Sequence, residues 1–138
     1  MHRFTLRVRY GDTDQMGVAY YANYLRWFEI GRAELMRDLG LSYQRVETEL
    51  GVMLPVLEAR CRYLKPARYD DLVTIESGVS EIRRASLTFA YRILGADGEL
   101  LATGMTEHCF LTPEGRPTRA PQALVDLIQR APRASAEA

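Results

Sequence analysis

Asp12 and Asp14 stand two residues apart, just ahead of Gly17-Val18 and a cluster of five aromatics, Tyr20, Tyr21, Tyr24, Trp27 and Phe28. A carboxylate carried on a loop can attack an acyl carbon or activate a water to do so. The first amides of a helix have no intrahelical partner and favour negative charge. Residues 18–24, at a helix entry, therefore offer donors to a developing oxyanion. A carboxylate beside such donors is what acyl transfer requires. Asp14, nearer the helix, is the candidate catalytic group. Asp12 is assigned to hold the loop by accepting backbone hydrogen bonds. Gly17 lets the backbone pass close to a substrate. Glu29, two turns beyond Tyr21, is a second candidate carboxylate that could orient water or contact an acyl group; it reads equally well as a helix-surface charge facing Arg26 or Arg32.

These residues need a frame. Residues 3–10 alternate apolar and polar, the signature of a half-buried strand. Residues 23–39 carry apolar side chains at spacings of three and four, with Asn23 as N-cap and Gly40 just past the end, which predicts a helix of about five turns. Residues 41–51 read as a loop or a short second helical piece. Period two then returns over 53–66, 72–82, 85–94 and 100–111, with Ala96-Asp97-Gly98 as a hairpin turn. Residues 120–131 read as a short amphipathic helix. The pattern predicts an α+β domain over 1–131, with a five-stranded antiparallel sheet in meander style wrapped around the one long helix. The tail, 132–138, is expected to be flexible.

Composition narrows the function. Eighteen acidic and eighteen basic side chains cancel, which gives nucleic acid no electrostatic handle. No apolar run approaches the length of a membrane span, and no leader pattern opens the chain, so a cytoplasmic protein is expected. Cys61 and Cys109 form no CxxC and read as free thiols. With His2 and His108 they lack the spacing of metal ligands, so neither metal nor cofactor is expected.

The stretch Asp12-Thr13-Asp14, Gly17-Val18, Tyr21-Ala22-Asn23-Tyr24 and Phe28-Glu29, on a strand–loop–helix junction, resembles the 4-hydroxybenzoyl-CoA thioesterase family, on the side of its YbgC-type acyl-CoA thioesterases. The resemblance runs from about residue 3 to about residue 125. It implies a hotdog fold, the helix as sausage and the curled sheet as bun. It also implies a homodimer with active sites at the subunit interface. A sheet wrapped on one helix leaves an edge strand and an open outer face, which likewise favours pairing across a two-fold, with a homotetramer expected from it. Asp14 then falls on the catalytic carboxylate and Tyr21 on the position whose backbone amide polarises the thioester carbonyl. YbgC-type proteins commonly carry His where Tyr21 stands; the amide, not the side chain, is taken as the working group, because a phenol shuttles protons poorly at neutral pH. Gly17, Val18 and Tyr24 are expected to line the substrate. CoA brings three phosphate groups, and Lys65, Arg83 and Arg84 are the candidates to meet them.

The expected activity is hydrolysis of a small or medium, or aromatic, acyl-CoA to free acid and CoA. A hydratase on the same fold would need a His paired with an acid near the helix start, and none is there. A non-catalytic acyl-CoA sensor or scaffold would not need Asp14.

Overall fold

The computed structural model describes residues 1–135. Five strands, β1 (His2–Arg7), β2 (Val56–Tyr63), β3 (Leu72–Ile82), β4 (Ser86–Leu94) and β5 (Leu100–Cys109), form one antiparallel sheet. Three helices join them: α1 (Asn23–Asp38), α2 (Tyr43–Leu50) and α3 (Gln122–Ile128). The sheet curls around α1, and the short α3 completes the α+β hotdog arrangement.

Strand order is β1-β3-β4-β5-β2. Only β3, β4 and β5 form the expected meander. β2 does not pair with its successor β3 but lies at the far edge, against β5, with Val56 opposite His108 and Tyr63 opposite Ala102. The chain reaches β3 from β2 through Leu64–Asp71, where Asp70 takes a left-handed φ of 72°. β2 leaves both faces open: apart from half-buried Cys61, all its residues are exposed. The alternation read along 53–66 is therefore not matched by alternating burial in the single chain.

α1 spans sixteen residues and buries Tyr24, Trp27, Phe28, Gly31, Leu35 and Met36 against the sheet. Phe28 stacks on Tyr91 of β4 at a centroid distance of 4.4 Å. Burying a side chain of this size contributes about 1.5–3 kcal/mol, so this face alone anchors the helix. Gly31 is required by contact, not by φ: an added Cβ would meet the Ser77 hydroxyl and come within 2.7 Å of Ile75 Cγ2.

Local details depart from the sequence pattern for local reasons. β1 stops at Arg7 because Asp12 turns the chain: its Oδ2 accepts from the Arg9 amide at 2.8 Å, and Tyr10–Asp12 form a 3-10 turn. Asn23 is the first helical residue, not the N-cap, which is Ala22; its side-chain amide is used elsewhere, donating to the Asp12 carbonyl at 2.8 Å. Of the two readings of 41–51, the helical one holds, capped by Ser42, whose hydroxyl accepts from the Arg45 amide, and by left-handed Gly51. The tail is not free from residue 132. The Val79 amide donates to Pro132 and the Ala134 amide to Val79, so the chain lies along β3 beyond the end of β1. An open stretch of strand supplies unpaired backbone groups, and the tail satisfies them. Residues 136–138 lie outside the described residues.

Candidate active site

Asp14 sits in a tight turn closed on itself. Its amide donates to the Val18 carbonyl at 2.9 Å, and its own carbonyl accepts from the Gly17 amide at 2.9 Å. Gly17 makes this possible with φ of +79°, a conformation that costs other residues more. One carboxylate oxygen, Oδ1, accepts from the Met16 amide at 2.9 Å. Oδ2 has no hydrogen-bond partner among the described residues. The turn thus fixes the carboxylate by one oxygen and leaves the other unbonded.

Asp12 braces the loop from beneath. It is buried, and its carbonyl accepts both the Tyr20 amide and the Asn23 side chain, each at 2.8 Å. This ties the Asp14 loop to the helix entry and matches the structural role assigned to Asp12.

The donors at the helix entry are fewer than the sequence offered. Ala19 donates to Ala67, Tyr20 to Asp12, and Asn23, Tyr24 and Leu25 donate to the carbonyls three residues back. Among the described residues, the amides of Tyr21 and Ala22 donate to no backbone carbonyl. The Tyr21 peptide is gripped from its other side: its carbonyl accepts from the Tyr24 amide at 3.2 Å and from the Tyr63 hydroxyl at 2.9 Å.

Asp14, Val18, Tyr21, Tyr24 and Lys65 line one pocket of about 290 Å³. Gly17 belongs to the same turn without lining it. Ala19, Met16, Tyr63, Leu64 and Pro66 complete the walls; the sequence had not singled out the last four for the site. Tyr63 packs edge-on against Tyr24 with centroids 4.9 Å apart. Its alternation placed it on a strand face, but only the pairing of β2 with β5 brings that face to the helix entry.

Burial raises the Tyr63 pKa, helped by its contact with Cys61. Burial also raises that of Tyr24, against the Ala67 amide that Tyr24 accepts. Both phenols therefore stay protonated at neutral pH and serve as walls, not as bases; Tyr63 also donates, to the Tyr21 carbonyl. Lys65 stands at the rim, 3.2 Å from Glu99.

The remaining candidates lie elsewhere. Glu29 is exposed on α1, outside the pocket lining, and forms no ion pair with Arg26 or Arg32 among the described residues. Arg83 and Arg84 do not join Asp14. They line another pocket with Arg119, and Arg83 is 2.7 Å from Glu81. Both cysteines are free and half-buried. No group of three His, Cys, Asp or Glu among the described residues could hold a metal ion, and no helix among them is long and apolar enough to cross a membrane.

Asp14, with an unbonded carboxylate oxygen, and Tyr21, with an amide that donates to no backbone carbonyl, line one largely apolar pocket, an arrangement compatible with acyl transfer. Comparison with known proteins leads to the same place. The family model described as the thioesterase-like superfamily matches residues 8–128. The acyl-CoA thioester hydrolase YbgC of Escherichia coli is 37% identical over 101 residues, 73% of this chain and 75% of that protein. A DHNA-CoA thioesterase of Staphylococcus aureus superposes with TM-score 0.84 at 31% identity, covering 92% of this chain and 85% of that one. A Thermus thermophilus protein superposes with TM-score 0.87 at 33% identity, covering 92% and 96%. The chain therefore belongs to the thioesterase-like superfamily, as a hotdog-fold hydrolase closely related to the YbgC-type acyl-CoA thioesterases.

Proposed function

We propose that this protein hydrolyses the thioester of a small or medium, or aromatic, acyl-CoA, with Asp14 as the group that attacks the carbonyl carbon or activates water to do so. One observation carries the reading: the unbonded Asp14 Oδ2 and the unpaired Tyr21 amide belong to residues that share one pocket. With the carbonyl oxygen on the Tyr21 amide, negative charge developing there meets a fixed donor in a partly desolvated site. The leaving group is a thiol, a stronger acid than an alcohol or water. It departs as thiolate without a strong acid, so neither a histidine nor a titrating phenol is needed. Attack by Asp14 gives a mixed anhydride that water then opens; attack by water gives the acid directly. The apolar walls from Tyr24, Tyr63 and Leu64 suit a ring or a short chain. The YbgC and DHNA-CoA relatives give acyl-CoA and aroyl-CoA substrates a precedent.

The phosphates of CoA are assigned to Lys65 at the rim and to Arg83 and Arg84, whose pocket also holds Arg119. The working unit is a homodimer joined along β2, and from it a tetramer. Support comes from β2 itself, an edge strand open on both faces beside the Asp14 pocket. Glu29 is kept as a contact for the acyl group, one the partner subunit would help enclose. Free thiols suit a reducing compartment, and the cytoplasm is the proposed location.

The test is thiol release from a panel of acyl-CoAs. Turnover is expected, and Asp14→Ala should lower kcat by at least about a hundredfold, the scale of losing a catalytic base or nucleophile, with far-UV circular dichroism unchanged. Binding without thiol release would instead mark an acyl-CoA sensor. Hydration of an enoyl-CoA would mark a hydratase.

A further inference from the structure

A second pocket, of about 330 Å³, opens between β1 and α1 and shares no lining residue with the Asp14 pocket. Its apolar part is Phe4, Leu6, Trp27 and Ile30, and its charge is three arginines against one aspartate. The arginines differ in how far they are committed. Arg7 donates to the Asp70 carbonyl at 2.6 Å and lies 3.6 Å from its carboxylate. Arg9 holds Asp12 only loosely, at 3.8 Å. Arg26 forms no ion pair and no side-chain hydrogen bond among the described residues. The pocket therefore sets an uncommitted guanidinium, and a half-committed one, over an apolar floor.

That combination selects a ligand chemistry. A guanidinium fork matches a planar carboxylate with two parallel hydrogen bonds. The floor wants apolar surface, and the volume lies at the small end of ligand pockets, about 300–1,000 Å³, enough for one ring or a short chain. We propose that this pocket binds a small apolar monocarboxylate, its carboxylate on Arg26 and Arg9 and its body on Trp27, Leu6 and Ile30. The occupant sits behind the catalytic loop, because the pocket includes Asp12 and Asn23, whose mutual hydrogen bond braces that loop. An apolar acid is also the product of the proposed hydrolysis. That link rests on the proposed function; the binding site does not.

Trp27 is the only tryptophan of the chain and is 3% exposed, so its fluorescence reports on this pocket without reference to catalysis. The full-length protein would be titrated with benzoate and hexanoate, with benzyl alcohol and hexanol as uncharged counterparts, and with inorganic phosphate. The carboxylates should give a saturable change in emission. The alcohols and phosphate should bind at least about tenfold more weakly, as expected when a charge-assisted pair or the apolar body is missing. Arg26→Gln should weaken carboxylate binding by about the same factor. Trp27 also touches Tyr24, a wall of the Asp14 pocket, at 4.7 Å. Lys65→Gln, which removes the cation of that other pocket, should therefore leave the titration unchanged. The proposal is overturned by the absence of a saturable response, by alcohols or phosphate matching the carboxylates, or by a response that survives Arg26→Gln and is lost in Lys65→Gln. A protein that releases no thiol from any acyl-CoA yet passes this titration would sink the hydrolase reading alone.

Discussion

His108 shows what one residue can carry away from the site. It is fully buried on β5. Its Nδ1 lies 3.1 Å from the Leu54 carbonyl and its Nε2 2.9 Å from the Thr106 hydroxyl, which in turn bonds the Tyr91 hydroxyl. Burial lowers the His108 pKa to about 4, against the Leu54 carbonyl, which raises it, and with the Arg32 charge lowering it further. The unfolded chain would titrate near the ordinary value of about 6.5, so between those values the unfolded state binds the extra proton. Stability is then complete above about pH 6.5 and is lost as the pH falls toward 4, by roughly 3 kcal/mol in total from this group. Urea midpoints measured across that range should fall steeply in the native chain and less steeply in His108→Gln. Equal slopes would show that the ring is not held neutral. The sequence set His108 aside as neither metal ligand nor catalytic base. Thr106 lies two residues away on the same strand, but Leu54 and Tyr91, which complete the hydrogen-bonded group, are distant along the chain and are brought close only by the fold. Asp14 is the opposite case, since its turn, its glycine and its helix entry all lie within ten residues.

At the scale of elements, α1 is placed by close approach to β3. Gly31→Ala should push the helix off Ser77 and Ile75 and cost about 1–3 kcal/mol, the usual scale of overpacking. Ser77→Gly in the same chain should recover part of that loss, a coupling between neighbours that independent sites would not show. Equal denaturation midpoints for Gly31→Ala and the native chain would refute the contact. Elements with a strong period of their own were legible: α1, β3 and the β4–β5 hairpin fall where the pattern puts them. The order of strands was not. Period two says that 53–66 is a strand but not which neighbour it takes, and the meander was only the simplest arrangement. The walls Tyr63, Leu64 and Pro66 were missed for that same reason, because they reach Asp14 only after β2 has crossed to the edge beside β5. The pairing of Pro132 and Ala134 was not legible for a similar one: their backbone partner, Val79, lies more than fifty positions away.

At the scale of the whole molecule, the exposed side chains of β2 are the surface on which the proposed dimer is tested. Leu57 is 60% exposed in the single chain, and its neighbours on the strand are little better covered. Leu57→Glu should convert the proposed dimer to monomer in sedimentation, since a charge buried at an interface core without a partner costs several kcal/mol. A dimer that persists would move the interface to another surface. The two possibilities differ further through Tyr63. This residue belongs to the same strand, and its hydroxyl grips the carbonyl of Tyr21, steadying the segment whose amide is proposed to hold the thioester oxygen. If the strand relaxes when its neighbour leaves, that grip relaxes with it. The rate per enzyme molecule would then fall as a stock solution is diluted, and would climb back with a lag when subunits are added, including subunits that are themselves inert.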